Sequence, residues 1–439
     1  MAFDTAALNS GDTAWVLVSA ALVLLMTPAL AFFYAGMVRA KHVIAMLMQN
    51  YTTMAIVTVT WAMLGFTLAF GKGELLGDLH FAGLRNMTDA VPGFTGASAQ
   101  TIPPLAFVVF QMMFAVITPA IITGSIADRM RFGALVPFVL LWSLLVYAPV
   151  AHWVFSPDGW AARLGALDFA GGTVVHVNAG AAGLAMAIVL GRRRGWPEQP
   201  MRPHNLPFVL LGTGLLWLGW LGFNAGSALK ANGVAAYAFV NTVLAASMAL
   251  LAWIAVERIR YGKPTSLGAA SGVVAGLVAV TPCAGFVSPV GAVLVGAIAG
   301  AVCALAVSLK TWLNYDDSLD VVGVHLVGGA IGSISVGLFA STVINPQGTD
   351  GLFYGGGYRL IGVQLLVVLV VGAYSFLVTY GLGRVLERTI GVRVSPAAEN
   401  AGLDLALHGE TAYEFAAYAI EAEEPAVTEL RPAVEPRRG

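Results

Sequence analysis

A chain of 439 residues that is 58% hydrophobic and only 11% charged, with mean hydropathy +0.79, has too few charges to cover the surface of a soluble globule. Its 23 Lys and Arg against 24 Asp and Glu give a net charge of -1, so no basic excess exists to hold nucleic acid by counterion release. The composition describes an integral membrane protein with membrane lipid as its surroundings, and it excludes a nucleic-acid partner.

In chain order, Met1 to Asp12 contains no basic residue, and the apolar stretch after it is too long for a signal-peptide core, so no cleavable leader is expected. A bilayer core of ~30 Å takes about 20 apolar residues at 1.5 Å each. Eleven stretches meet that length, roughly 13-34, 43-70, 102-126, 132-155, 169-190, 206-229, 234-256, 267-287, 290-309, 321-343 and 360-382. An odd number puts the termini on opposite sides. Alternate assignment of the loops gathers fifteen Lys and Arg on one side, Arg39, Lys41, Arg129 and Arg193 among them, against five on the other. The positive-inside rule then places the N-terminus out and the C-terminus in. No soluble stretch is long enough for a second core, so residues 1-390 are expected to form one membrane domain and 391-439 a cytoplasmic tail. The last fifteen residues of that tail, rich in Pro and Glu, are expected to be disordered.

Two short motifs recur. Phe33-Tyr34-Ala35-Gly36 closes the first span and Phe223-Asn224-Ala225-Gly226 the sixth; Val175-His176-x-x-Ala179-Gly180-Ala181 lies in the fifth and Val324-His325-x-x-Gly328-Gly329-Ala330 in the tenth. The members of each pair are five spans apart, and an odd number of spans per repeat inverts the second copy. The expected fold is an all-α polytopic membrane bundle of eleven transmembrane helices, built as inverted five-helix repeats plus one extra helix, with its substrate site near the midplane.

Polar groups inside spans are costly and mark cavities or pathways. His176 and His325 approach the bilayer centre from opposite faces, each with small residues at i+3, i+4 and i+7 on its own helix face, so the two helices can come close there. No Cys, Asp or Glu at ligand spacing accompanies either imidazole, and neither a metal nor a cofactor is expected. His42, His80, His152, His204 and His408 fall in loops or near span ends and read as solvated or interfacial. Cys283 and Cys303 read as small packing residues. Asp168 is placed to cap the fifth helix and Asp320 the tenth; Asp168 also stands where a carboxylate favours an arriving cation. Phe114, Phe155 and Phe223 near the outer ends suit either an aromatic belt or the face of a cation site. No nucleophile-base pair or phosphate-binding Gly loop suggests an enzyme.

The run Asp168-Phe-Ala-Gly-Gly-Thr-Val-Val-His176, with Gly222-Phe223-Asn224-Ala225-Gly226-Ser227 and Asp320-Val-Val-Gly-Val-His325, resembles the Amt/Mep/Rh ammonium transporter family in its bacterial Amt branch. Phe110-Gln111-x-x-Phe114-Ala115, Ala127-Asp128-Arg129-Met130-Arg131-Phe132 and Thr281-Pro282-Cys283-Ala284-Gly285-Phe286 extend the likeness, which covers about residues 10-415. The resemblance implies a homotrimer in the cell (inner) membrane with one pore through each subunit. It implies an outer ammonium site at Phe114 and Ser227 with Asp168 as the structural acid beneath, a stacked gate of Phe114 and Phe223, and a pore lined by His176 and His325. Where the family usually has a Trp after Ala-His-x-Val, this chain has Phe155, a weaker cation-attracting face. The implied activity is ammonium uptake, with ammonium bound outside, deprotonated and conducted as ammonia. Gly402 to Tyr413 is similar to the family's tail motif, which implies docking of a PII-class signalling protein. An ammonium sensor and a neutral gas channel on the same scaffold are the alternatives.

Overall fold

The computed structural model describes residues 3-95 and 99-413. Among these the chain is helical, with isolated β-bridges such as Met130–Arg393 and Val287–Ala340. Ten helices have the length and apolarity to cross a membrane: α1 Ser10–Met37, α2 Ala40–Phe70, α3 Pro104–Ile126, α4 Phe132–Leu164, α5 Gly172–Leu190, α6 Leu206–Gly226, α7 Gly233–Tyr261, α9 Pro289–Trp312, α10 Val322–Phe339 and α11 Arg359–Thr389. Between α7 and α9 lies α8, Ser266–Val280, apolar but only 15 residues long. The expected eighth span, 267-287, is therefore cut short. Pro282 follows the helix, and Asn241 Nδ2 donates to the carbonyls of Ala284 (2.8 Å) and Val287 (2.8 Å), satisfying backbone that has left the helix.

Helix starts follow local chemistry. Asn9, Asn205, Asn232, Thr265 and Ser288 each accept a first-turn N–H at the start of α1, α6, α7, α8 and α9. Large side chains such as Leu17, Leu24, Leu211, Leu251, Leu369 and Leu377 remain exposed, which suits a lipid-facing surface and not a wet one.

Helices meet through small residues. A Cβ on Gly212 of α6 would lie 2.6 Å from the Phe33 nitrogen of α1, and one on Gly300 of α9 would lie 2.2 Å from the Ala249 carbonyl of α7. In the two histidine helices, a Cβ on Gly180 would lie 2.4 Å from the Leu326 nitrogen and one on Gly329 2.9 Å from the His176 Cβ. Both helices open on a π turn, Gly172–Val177 in α5 and Val322–Leu326 in α10, and each π turn contains the histidine. Such widened turns recur at functional positions.

The segment after α11 returns to the bundle. Val394 N–H donates to the Arg129 carbonyl (3.0 Å) and Arg131 N–H to the Val392 carbonyl (2.8 Å). Beyond the short α12, Pro396–Ala401, Asp404 Oδ1 accepts the Ala45 N–H of α2 at 2.8 Å, and the His204 ring meets the Tyr413 hydroxyl at 2.9 Å. Residues 391-413 thus lie folded onto the end of the bundle that carries residues 38-42 and 127-131, called here the basic end. The fifteen terminal residues expected to be disordered fall outside the described residues.

Two histidines read as solvated or interfacial are instead buried. His152 is enclosed, with Nδ1 2.9 Å from the Ala69 carbonyl and Nε2 3.1 Å from the Gly73 carbonyl. His42 is enclosed, and its Nδ1 accepts the Leu403 N–H at 3.2 Å. Both secure chain segments that leave α2 or return to it, a role invisible in position along a span.

Candidate functional site: vestibule, gate and lumen

Opposite the basic end, a vestibule of about 560 Å³ is lined by Phe107, Gln111, Phe114, Phe155, Asp168, Ser227 and Lys230, among others. Phe114 comes from α3, Phe155 from α4, and Ser227 from the residue following α6. Ser227 Oγ donates to the Phe223 carbonyl at 2.8 Å, which orients the hydroxyl oxygen as an acceptor. Phe155 meets Phe114 edge-on with ring centroids 6.3 Å apart. Aromatic faces beside a free acceptor can hold a cation that also donates hydrogen bonds.

Phe223 stands one level deeper. Its ring stacks on Phe114 with centroids 4.2 Å apart and an interplanar angle of 21°. Beneath the stack lies a lumen of about 10 Å³, near the space one water molecule occupies. Met26, Leu30, Ile117, Ile121, Leu216 and Val274 wall it with Phe223, Trp220, His176 and His325. The two imidazoles are buried, and their Nδ1 atoms lie 3.2 Å apart, a separation that fits one shared proton. His176 Nε2 is buried without a hydrogen-bond partner among the described residues. Trp220, which the sequence reading did not single out, stacks on His176 at 5.4 Å and 21° while its Nε1–H donates to Thr281 Oγ1 at 2.8 Å. An ion that keeps its charge gains nothing from these apolar walls, whereas a small neutral hydrogen-bonding molecule finds two ring nitrogens.

The chain from residue 14 to residue 413 matches the Ammonium Transporter Family. It belongs to that family. An ammonium transporter of Mycobacterium bovis is 52% identical, with the match covering 96% of this chain and 94% of that one. The ammonium transporter of Bacillus subtilis is 48% identical over 93% of this chain and 99% of its own. Among solved structures, Saccharomyces cerevisiae Mep2 superposes with a TM-score of 0.83 at 35% identity, covering 88% of this chain and 91% of that one. A structure described as a sensor Amt protein matches with a TM-score of 0.82 at 31% identity over 90% of this chain and 98% of its own.

In this family member the acids that set the two histidine helices form a pair. Asp168 Oδ1 accepts the N–H groups of Gly171 (2.8 Å) and Gly172 (2.6 Å); Oδ2 accepts those of Thr173 (2.8 Å) and Val174 (3.2 Å) and the Thr173 hydroxyl (2.5 Å). Both oxygens are therefore turned into the first turn of α5. The expected counterpart, Asp320, does not cap α10. It has φ 64° and its carboxylate meets Lys310 Nζ at 2.6 Å. Asp317 does the capping, accepting the Val322 N–H at 2.7 Å and the Ser125 hydroxyl at 2.8 Å. Asp168 precedes His176 by the same eight positions by which Asp317 precedes His325. That spacing was present in the sequence as an unread part of the repeat.

At the basic end a buried ionic cluster holds the Ala127-Asp128-Arg129 motif. Arg193 Nη2 meets Asp316 Oδ1 at 2.8 Å and its Nη1 meets Asp128 at 3.5 Å, while Arg39 reaches Asp128 at 3.2 Å. Arg129, fully enclosed, donates to the Asp316 carbonyl and the Ser318 hydroxyl, both at 2.5 Å. Burial lowers the Arg129 guanidinium to about 10, against the opposing pull of Asp316. Burial acts to raise the Asp316 carboxyl, but the hydrogen bond and charge of Arg193, with Arg129 behind, outweigh it and hold the group below its ordinary value.

Proposed function

We propose that this chain takes up ammonium through a cell membrane, binding the cation among Phe114, Phe155 and Ser227, passing its proton near the Phe114–Phe223 gate to the imidazole pair of His176 and His325, which relays it, and conducting ammonia past the same pair. The observation that carries this reading is the stacked aromatic pair closing a wide vestibule above a lumen of single-molecule width whose polar groups are the ring nitrogens of two contacting imidazoles. Ammonium and potassium are similar in size and charge, so selection needs a chemical difference. Ammonium donates hydrogen bonds and can lose a proton; potassium does neither. The narrow, mostly apolar lumen rejects whatever stays charged. Asp168 acts through the backbone, fixing the turn on which His176 sits.

The same reading takes α8 as the eleventh, shortened span, the basic end as cytoplasmic and the N-terminus as outside, with the protein an inner-membrane homotrimer and not an enzyme. Residues 391-413 offer a face to a PII-class protein.

Reconstitution in liposomes tests the reading, with current and internal pH recorded on a sudden ammonium pulse and an equal potassium pulse as control. Ammonium-dependent current or alkalinisation without a potassium response is expected. Binding of ammonium without flux would replace transport by sensing; conduction of carbon dioxide without discrimination for ammonium would make the protein a gas channel.

A further inference from the structure

Among the described residues, the vestibule walls contain two charged side chains, Asp168 and Lys230. They are unequal partners for an arriving cation. Asp168 spends both oxygens on the first turn of α5, where five donors compensate its charge. Lys230 is half-buried and makes no ion pair or side-chain hydrogen bond among the described residues. Its position is fixed. It lies three residues beyond Ser227 in a turn where Leu229 has φ 54° and donates its N–H to the Gly226 carbonyl at 2.9 Å. The next N–H, of Ala231, donates to Asp12 Oδ1 at 2.8 Å, and Asn232 caps α7. Asp12 is buried behind this turn, its other oxygen accepting from Thr101, and it is not part of the vestibule wall.

We propose that Lys230 sets the affinity of the outer vestibule, its positive charge opposing the cation at Phe114 and Ser227 so that this chain holds ammonium weakly and holds it better as salt rises. A chamber of 560 Å³ is about 10 Å across. Over such a distance, two like charges at an effective permittivity of about 20 to 80 alter binding by about two- to fifteenfold. Phe155, with a weaker aromatic attraction than indole, does not offset the repulsion. The inference rests on the vestibule being the entry site for ammonium.

The test compares the parent, Lys230→Gln and Lys230→Arg in liposomes, reading the half-saturating ammonium concentration at about 10 mM and about 150 mM of a salt whose cation is not conducted, where the Debye length is about 30 Å and about 8 Å. In the parent, half-saturation should fall as salt rises. Lys230→Gln should saturate at a concentration at least about twofold lower at low salt and respond little to salt, and Lys230→Arg should follow the parent. Parent-like half-saturation and salt response in Lys230→Gln would overturn the proposal while leaving ammonium transport intact. A silent Lys230→Gln beside an active Lys230→Arg would also overturn it, because relieving repulsion can only strengthen binding. No ammonium flux in the parent would sink this inference and the entry-site reading together.

Discussion

His176 and His325 are each other's polar partner in an otherwise apolar lumen, so removing one strands the other. A buried group left without its hydrogen bond costs ~1–3 kcal/mol, about a tenfold effect or more on a path that depends on it. His176→Ala and His325→Ala should each reduce selective ammonium flux by about tenfold or admit potassium, as a pulse assay in liposomes reads directly. A double variant retaining full ammonium selectivity would end the proton-handling role. Phe155→Trp should act at the other end of the path, lowering the half-saturating ammonium concentration by about two- to fivefold, because indole attracts a cation more strongly than benzene. Much of this site was legible as residues. Phe114, Phe223, Ser227 and both histidines stand in long motifs that repeat or resemble a family, and Phe155 stands where the chain departs from one of them. Trp220 was not legible, since it lies in the run Leu215-Leu216-Trp217-Leu218-Gly219-Trp220, where nothing local separates a lipid-facing indole from one stacked on an imidazole. Lys230 was counted only as a loop charge, because which wall a loop lysine joins depends on the turn that carries it.

Between elements, contact is set by glycines that leave no room for a side chain. A Cβ on Gly180 would sit 2.4 Å from the Leu326 nitrogen, so Gly180→Leu must push α5 from α10 and pull the imidazoles apart. The expected result is loss of flux with a fall in thermal stability of several kcal/mol, about the cost of severe overpacking, measured by unfolding in detergent. Gly214 has open space around its Cβ position and provides the control: Gly214→Ala should leave stability within about 0.5 kcal/mol of the parent. The span pattern predicted ten of these helices well and overextended α8, because hydropathy stays high through Thr281-Pro282-Cys283 while the backbone turns. The π turns at the two histidines were also beyond the sequence. They coincide with the first turns whose N–H groups Asp168 and Asp317 accept, an arrangement that no residue propensity encodes.

For the whole molecule, the acid-base behaviour of the basic end follows from its buried cluster. Asp316 is held below its ordinary value of 3.8 by Arg193, so the stability it contributes is complete above 3.8 and is lost as pH falls through the lower folded value. Hydrogen-exchange protection in residues 127-131 and 391-413, taken relative to the intrinsic rate at each pH, should therefore be high at neutral pH and fall once the pH drops below about 4. Arg193→Met, which removes the ion pair of Asp316 and leaves Asp128 to Arg39, should bring the same loss of protection at neutral pH and cost about 3 kcal/mol. The two short motifs lie on helices that pack in pairs, α1 against α6 and α5 against α10, while the return of residues 391-413 to the bundle was beyond the sequence, because that segment is held by backbone and side-chain hydrogen bonds to residues distant in the chain. This return has a consequence for biosynthesis. Ala45 waits for the carboxylate of Asp404, which lies 359 positions later. At about 5–20 residues per second, a ribosome needs on the order of 20 to 70 s to deliver it, and during that interval the start of α2 and the loop at Arg129 stand without their final partners. The basic end is thus the last part of the nascent chain to mature, and a ribosome stalled before codon 393 would leave helices α1 to α11 made and their basic end unlatched.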